Sequence, residues 1–160
     1  MDNKMSAMER LGVFTYVLAS LIRKAKVILC RWVYKAKPDK LKSRLVIHGF
    51  LQNIVDGSSV FSPTLKMVTF RLLLALCAHL QWMCQQMDVC NAFLNADMPS
   101  DGPVYMYCVD GYNKPDYVIR LQKALYGLRN SPSRWYKHLA AFLQNVLKMA
   151  KCALDHFKFF

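Results

Sequence analysis

The residues best placed to do chemistry lie in one central stretch, Gln86-Met-Asp-Val-Cys-Asn-Ala-Phe-Leu-Asn-Ala-Asp-Met98. Asp88 falls near the end of residues 84–89, which read as a strand in an apolar setting. A carboxylate withdrawn from water needs a partner, and a hard cation is one choice. A turn or capping aspartate is the competing reading of the same residue. Carboxylates are scarce throughout: ten Asp+Glu in 160 residues, with Glu9 the lone glutamate. Any metal or acid–base chemistry therefore has few candidates. Bases are plentiful: 22 Lys+Arg give a net charge of +12. Solubility needs far less, so the excess points to a polyanionic partner, most simply nucleic acid.

The charge is unevenly placed. Residues 23–44 carry nine bases (Arg23, Lys24, Lys26, Arg31, Lys35, Lys37, Lys40, Lys42, Arg44) against Asp39 alone. Residues 120–151 carry seven (Arg120, Lys123, Arg129, Arg134, Lys137, Lys148, Lys151) and no acid. Residues 45–119 hold six aspartates and three bases. Two basic arms flank an acidic centre. Phosphates on the arms and a cation on the acids would account for both signs.

With 54% apolar residues the chain has enough to fold around, which excludes a disordered tail. The six cysteines form no C-x-x-C pair and several sit in apolar runs, so they read as reduced, in an intracellular setting, cytoplasmic or nuclear. Residues 11–22 are apolar behind Lys4 and Arg10. Asp2 and Glu9 spoil a signal-peptide flank, and the run falls well short of the ~20 residues a membrane span needs. Val13, Phe14, Tyr16 and Val17 read instead as a strand, and no membrane partner is expected.

Several elements must position the central stretch. Residues 27–35 and 44–50 are rich in Val, Ile and aromatics, with Lys-Pro-Asp-Lys between them, and predict a basic β-hairpin. Ser62-Pro63 predicts a helix start, with Ser capping free N–H groups and Pro at the first helical position. Leu65, Val68, Leu72, Leu76 and Leu80 follow at helical spacing, and the apolar run 72–78 predicts a deeply buried helix. Residues 104–109 and 117–121 read as short strands. Ser131-Pro132 repeats the helix start, and Trp135, Leu139, Phe142, Leu143, Val146 and Leu147 mark one helical face. Strands and helices mix without regular alternation, so the fold class is α+β.

These segments, taken together, resemble one family. Asp88-Val-Cys-Asn-Ala-Phe-Leu-Asn resembles the D-V-K-N-A-F-L-N-G motif of copia-type retrotransposon reverse transcriptases. Arg31-Trp-Val-Tyr-Lys, Lys42-Ser-Arg-Leu-Val-Ile-His-Gly-Phe, Phe61-Ser-Pro with Arg71-Leu-Leu-Leu-Ala-Leu, and Val104-Tyr-Met resemble further blocks in the family's order. So do Ala124-Leu-Tyr-Gly-Leu-Arg-Asn-Ser-Pro-Ser-Arg-Trp-Tyr136 and Asp155 with Phe157.

The resemblance implies the fingers and partial palm of a right-hand polymerase fold, with a helical lead-in at 1–12 and the reverse transcriptase segment at 13–160. It implies an RNA-directed DNA polymerase taking an RNA or DNA template–primer and dNTPs, with two Mg²⁺ ions about 3.5–4 Å apart. Asp88 is then the first catalytic carboxylate and metal ligand, with Val89 offering its carbonyl. Lys42 and Arg44, on one face of a strand, suit a triphosphate. Phe93 matches a steric gate against a ribose 2′-hydroxyl, a plain core Phe being the other reading. Tyr126 and Gly127 match the motif beneath the nascent base pair.

The departures matter as much. The family's other two catalytic carboxylates belong to a Y-V-D-D hairpin after the Asp155 block, and no Asp-Asp pair occurs in this sequence. Asp97 and Asp101 lie in a turn and are poor substitutes. The expectation is a polyprotein fragment with an incomplete palm sheet, inactive alone; the alternative is a non-catalytic basic nucleic-acid-binding module. Ala96 stands where the family has Gly, and Leu147-Lys-Met149 where it often has L-G-F. Either change costs strain if φ is positive there.

Overall fold

The computed structural model describes residues 2–22, 25–39, 41–52, 60–99 and 102–160. Arg23, Lys24 and Lys40 of the first basic arm, and Asp101, lie outside the described residues.

Helix α1 (Asp2–Arg10) buries Met5 and Met8 on one face. Its end is cut by Gly12, whose φ of +61° suits glycine. The Gly12 N–H donates to Glu9 O and the Val13 N–H to Met8 O, both at 2.9 Å. That pair of bonds is the Schellman motif, with buried Val13 and Met8 as its apolar contact. The turn delivers the chain into β1 (Phe14–Leu18), the strand expected from its residue types.

β1 pairs antiparallel with β6 (Tyr117–Leu121), Phe14 opposite Leu121. β5 (Tyr105–Met106) pairs antiparallel with β6 and parallel with β2 (Val27–Ile28), giving the order β1-β6-β5-β2. The strand expected over 104–109 is thus cut to two residues: its ladder with β6 stops at Met106, although β6 runs from Tyr117 to Leu121. One core joins Met5, Met8, Val13, Ile28, Met106, Ile119 and Leu121 to Leu45 and Ile47 of the hairpin and to Leu94, Leu125 and Leu128. Strands and helices mix as the α+β expectation requires.

The hairpin forms with shifted bounds: the strand expected over 27–35 divides into β2 and a second strand, and the one expected over 44–50 runs earlier and gives way to a 3₁₀ turn at Gly49–Leu51. β3 (Cys30–Ala36) and β4 (Leu41–Ile47) run antiparallel as a separate two-stranded sheet, with Lys35 opposite Lys42.

Three expectations need correction. First, residues 84–89 are not a strand: a strand exists through its ladder, and no described segment pairs with them. Second, the helix after Ser62-Pro63 starts later and is not buried. α2 (Met67–His79) has no buried residue, and Leu72, Leu74 and Leu76 are 57%, 46% and 39% exposed. An apolar run on every side needs cover on every side, and no described element packs extensively against it.

Third, neither Ser caps its helix. The Ser62 hydroxyl donates to Pro132 O at 3.2 Å. α2 is capped from far along the chain, where buried Asp155 accepts the Lys66 N–H at 3.2 Å. Its carboxylate also accepts the Phe157 N–H at 3.2 Å and bonds the Thr69 side chain. α3 (Ser131–Asn145) does begin at Ser-Pro with Pro in its first turn. There the Ser131 hydroxyl donates backward to Leu125 O at 2.6 Å. The apolar face of α3 is only partly covered: Phe142, Val146 and Leu147 are exposed.

The two replaced glycines have opposite outcomes. Ala96 sits at φ −95° and is buried without strain. Lys148 sits at φ +56°, just after α3, where a side chain crowds the backbone. Beyond it the chain folds back, with Ala150 and Phe160 exchanging backbone bonds. Tyr136 stacks on Phe157 at 5.9 Å and its hydroxyl donates to His156 O at 2.6 Å.

Two outcomes follow from these backbone contacts. Lys148→Gly raises stability by roughly 0.5–1 kcal/mol in urea unfolding, since the relieved strain exceeds the entropy cost of glycine. The Asp155 bonds to Thr69, Lys66 and Phe157 hold its carboxyl below the ordinary 3.8. Its contribution is present above that value and lost as pH falls through the depressed folded pKa. Asp155→Asn therefore melts below the parent chain at pH 6, and the gap closes as the pH drops beneath about 3.9; equal melting points at pH 6 would contradict the assignment.

Candidate functional site

The hairpin is fastened to the rest of the fold at its second strand. Ile47 N–H donates to Tyr126 O at 2.9 Å, and Val46 bridges Tyr126 in parallel. Two glycines permit this approach. A Cβ on Gly49 would lie 2.0 Å from Gly127 O, and one on Gly127 would lie 2.1 Å from Ile47 O. Gly127 also has φ +93°, a conformation that side chains disfavour. Backbone thus packs on backbone where β4 meets residues 124–128.

That junction brings three expected site residues together. The Arg44 guanidinium lies 5.7 Å from the Tyr126 ring centre, in cation–π range. Phe93 meets the other ring edge-on, with centroids 4.9 Å apart at 65°. Phe93 rides on a 3₁₀ turn, Ala92–Asn95, anchored by buried Leu94. Ala124 N–H donates to Ala96 O and Met98 N–H to Gln122 O, both at 2.8 Å, tying the turn to the same loop. Phe93 is half-buried, so it is neither a core residue nor a free one. Lys42, two positions before Arg44, shares its strand face and is also half-buried.

Asp88 and Val89 are not gathered in. Both are exposed in an extended segment, Val89 at 46%. The expected apolar burial of Asp88 is absent, so desolvation supplies no reason for a cation there. Among the described residues no three His, Cys, Asp or Glu side chains converge as a metal site would require. One exposed carboxylate does not by itself meet the near-octahedral demands of the expected Mg²⁺ ions.

Sequence reasoning missed other members of this region. The Lys4 ammonium on α1 donates to the Asn91 side-chain oxygen. Asn91 takes the left-handed conformation (φ 54°, ψ 39°) just before the turn that bears Phe93. Burial, then the Arg44 guanidinium, push the Lys4 ammonium below the ordinary lysine range; Lys42 adds to the effect and Cys90 opposes it. Behind the loop, buried Gln52 accepts the Arg129 N–H at 3.2 Å and lies 3.5 Å from the Asn130 amide. A lone lysine in a polar helix and a lone glutamine carried no pattern to single them out. His48 stacks on Phe50 at 5.6 Å.

The hairpin, its glycine-mediated junction and the Phe93 turn carry the motifs of a nucleotide polymerase, and the sequence comparison agrees. Residues 13–156 match the family described as reverse transcriptase (RNA-dependent DNA polymerase), and the chain belongs to that family. Its relatives include Pol polyproteins of plant copia-type transposons. The chain is 34% identical over 172 aligned positions to the retrovirus-related Pol polyprotein from transposon TNT 1-94 of Nicotiana tabacum, covering 100% of the chain and 13% of that protein. It is 35% identical over 130 positions to those from transposons RE2 and RE1 of Arabidopsis thaliana, covering 75% of the chain and 9% of each. The chain therefore spans 13% or less of the length of these relatives. No solved structure matches it. Among the described residues, no helix is long and apolar enough to cross a membrane.

The backbone junction generates a direct test. Gly127→Ala meets both a positive φ and a carbonyl at 2.1 Å, so it costs about 2–3 kcal/mol or more. Ala at Gly102, where a Cβ meets nothing within 4 Å and φ is ordinary, changes stability by less than about 1 kcal/mol. Urea melts of the two variants check the contrast.

Proposed function

We propose that this chain forms the nucleotide-contacting part, fingers and partial palm, of an RNA-directed DNA polymerase from a retrotransposon polyprotein. One observation carries the reading: Arg44, Tyr126 and Phe93 come from three separate segments and meet within ring-contact distance. In this reading Lys42 and Arg44 bind the nucleotide phosphates, where paired cations suit clustered oxygens. Phe93 crowds the 2′ position of the sugar and so favours dNTPs. Tyr126 and Gly127 lie beneath the new base pair, held there by the β4 junction. Asp88 is the first catalytic carboxylate, with the Val89 carbonyl beside it. The two basic arms track the template–primer backbone. Residues 1–12 form the lead-in and 13–160 the polymerase segment. A nucleic-acid partner and cysteines without a disulfide pattern support an intracellular setting.

A second reading is favoured by the exposure of Asp88: the chain alone binds nucleic acid without copying it. One of three carboxylates cannot organise phosphoryl transfer, so the isolated chain is expected to incorporate no dNTP in a primer-extension assay. Incorporation that Asp88→Ala abolishes would overturn that expectation.

Binding itself separates the shared claim from chance. Fluorescence anisotropy with a primer–template should give affinity that falls at least about tenfold between 50 and 200 mM salt, as phosphate contacts release counterions. A flat salt response would defeat both readings. Phe93→Val should narrow the preference for a dNTP over its ribonucleotide counterpart while leaving the salt slope unchanged.

A further inference from the structure

We propose that Cys77 and Cys84 form a reversible disulfide, a redox modification site that takes a small-molecule disulfide as its oxidant. Neither the phosphate-binding cations nor Asp88 takes part in it.

The backbone brings the two cysteines together. At the end of α2 the Trp82 N–H reaches back to Cys77 O at 2.9 Å, across Gln81 at φ +54°. That is the long bond of a Schellman turn. A side chain crowds the left-handed backbone, and the Gln81 amide offsets part of that cost by donating to Ala78 O at 2.9 Å. The chain therefore reverses beside Cys77, and Cys84 follows Trp82 by two residues. The two thiols meet in a hydrogen bond. Both line one cleft of about 390 Å³, together with Leu74, Ala78, Gln81 and Trp82. A cleft of that size admits a small organic disulfide.

Contact between thiols is what the chemistry requires, because the sulfurs of a disulfide stand only about 2 Å apart. Access sets the order of events: Cys84 is exposed and Cys77 half-buried. The hydrogen bond to Cys84, then burial, push the Cys77 thiol above its ordinary range, so Cys84 is the attacker and Cys77 keeps its proton until the second step. The Cys84 thiolate attacks one sulfur of the small disulfide, forming a mixed disulfide and expelling the other half as a thiolate. Cys77 gives its proton to that thiolate and attacks the Cys84 sulfur, expelling the second half, which takes from solvent the proton that Cys84 had lost. Two protein thiols are oxidised, and one small disulfide is reduced to two thiols.

Cys30 and Cys108 are arranged differently. Their thiols donate to backbone, to Tyr107 O at 3.6 Å and Tyr117 O at 3.3 Å, and burial above all pushes Cys30 up to about 11. α2 has no buried residue, so a bond at Cys77 would brace its last turn to the segment that leads to Asp88. In a reducing compartment such a bond forms transiently.

The experiment is oxidation of the full 160-residue chain with glutathione disulfide, followed by acid quenching and alkylation of the free thiols. The monomer band of a non-reducing gel is then mapped by chymotrypsin and mass spectrometry. Cleavage after Trp82 parts the two cysteines, so the bond appears as a linked peptide pair. In an unfolded chain Cys84 is six residues from Cys90 and seven from Cys77, and loop closure favours neither. The folded chain should link Cys84 to Cys77 at least about tenfold over Cys90, since a preformed contact raises one partner's effective concentration. The chain in urea should give the two links in comparable amounts, and reduced glutathione should reopen the bond. Cys77→Ser should trap Cys84 as a glutathione adduct, and Cys84→Ser should leave Cys77 largely unmodified. A folded chain that yields the same mixture as the unfolded one overturns the proposal. So does a parent chain in which Cys84 is recovered only as the glutathione adduct, or in which both thiols stay free.

Discussion

The contact on which this structure depends is backbone against backbone, where Gly49 and Gly127 let the end of β4 press on residues 124–128. A single methyl group at either position would collide with a carbonyl oxygen. The bond from Ile47 to Tyr126 then adds a short third edge to the two-stranded hairpin. Without that edge the hairpin would be a ribbon of two strands, which is marginal in water alone. With it, the cationic face of β4 has a fixed position over the Tyr126 ring.

The electrostatic pattern follows from that placement. Lys42 and Arg44 come from the hairpin and Lys4 from α1, and both cations help to push the Lys4 ammonium below its ordinary range although the residues are far apart in sequence. The core beneath them is apolar, built from Met5, Met8, Leu45, Ile47 and Leu94. Burial is the first cause that pushes the Lys4 ammonium below the ordinary lysine range. Arg31 and Lys35 on β3 and Lys137 on α3 are exposed, so water already screens them.

Much of this was legible in the residues. The hairpin was readable because two β-rich runs bracket a turn tetrapeptide, a signal that is wholly local. Start and class of α3 were readable for the same reason. Asp88 and α2 were misread because their burial is settled by what lies alongside them, and periodicity does not report a neighbour. The caps were misread because a serine before proline has several acceptors within reach. Ser131 found Leu125 O, and Ser62 found Pro132 O. The cap on α2 comes from Asp155, and no local pattern announces a partner 89 residues away. The glycine positions show the same divide. Ala96 and Lys148 both replace a family glycine, yet only Lys148 falls at positive φ.

The remote cap on α2 has a consequence in time. During synthesis at ~5–20 residues per second, the 89 residues between Lys66 and Asp155 take roughly 4–18 s to appear. A 13-residue helix is short enough to be marginal in isolation. For those seconds α2 has its apolar side chains but not the carboxylate that fixes its first turn. The nascent chain thus passes through an interval in which its most apolar helix is the one least committed to being a helix, and the arrival of Asp155 ends it.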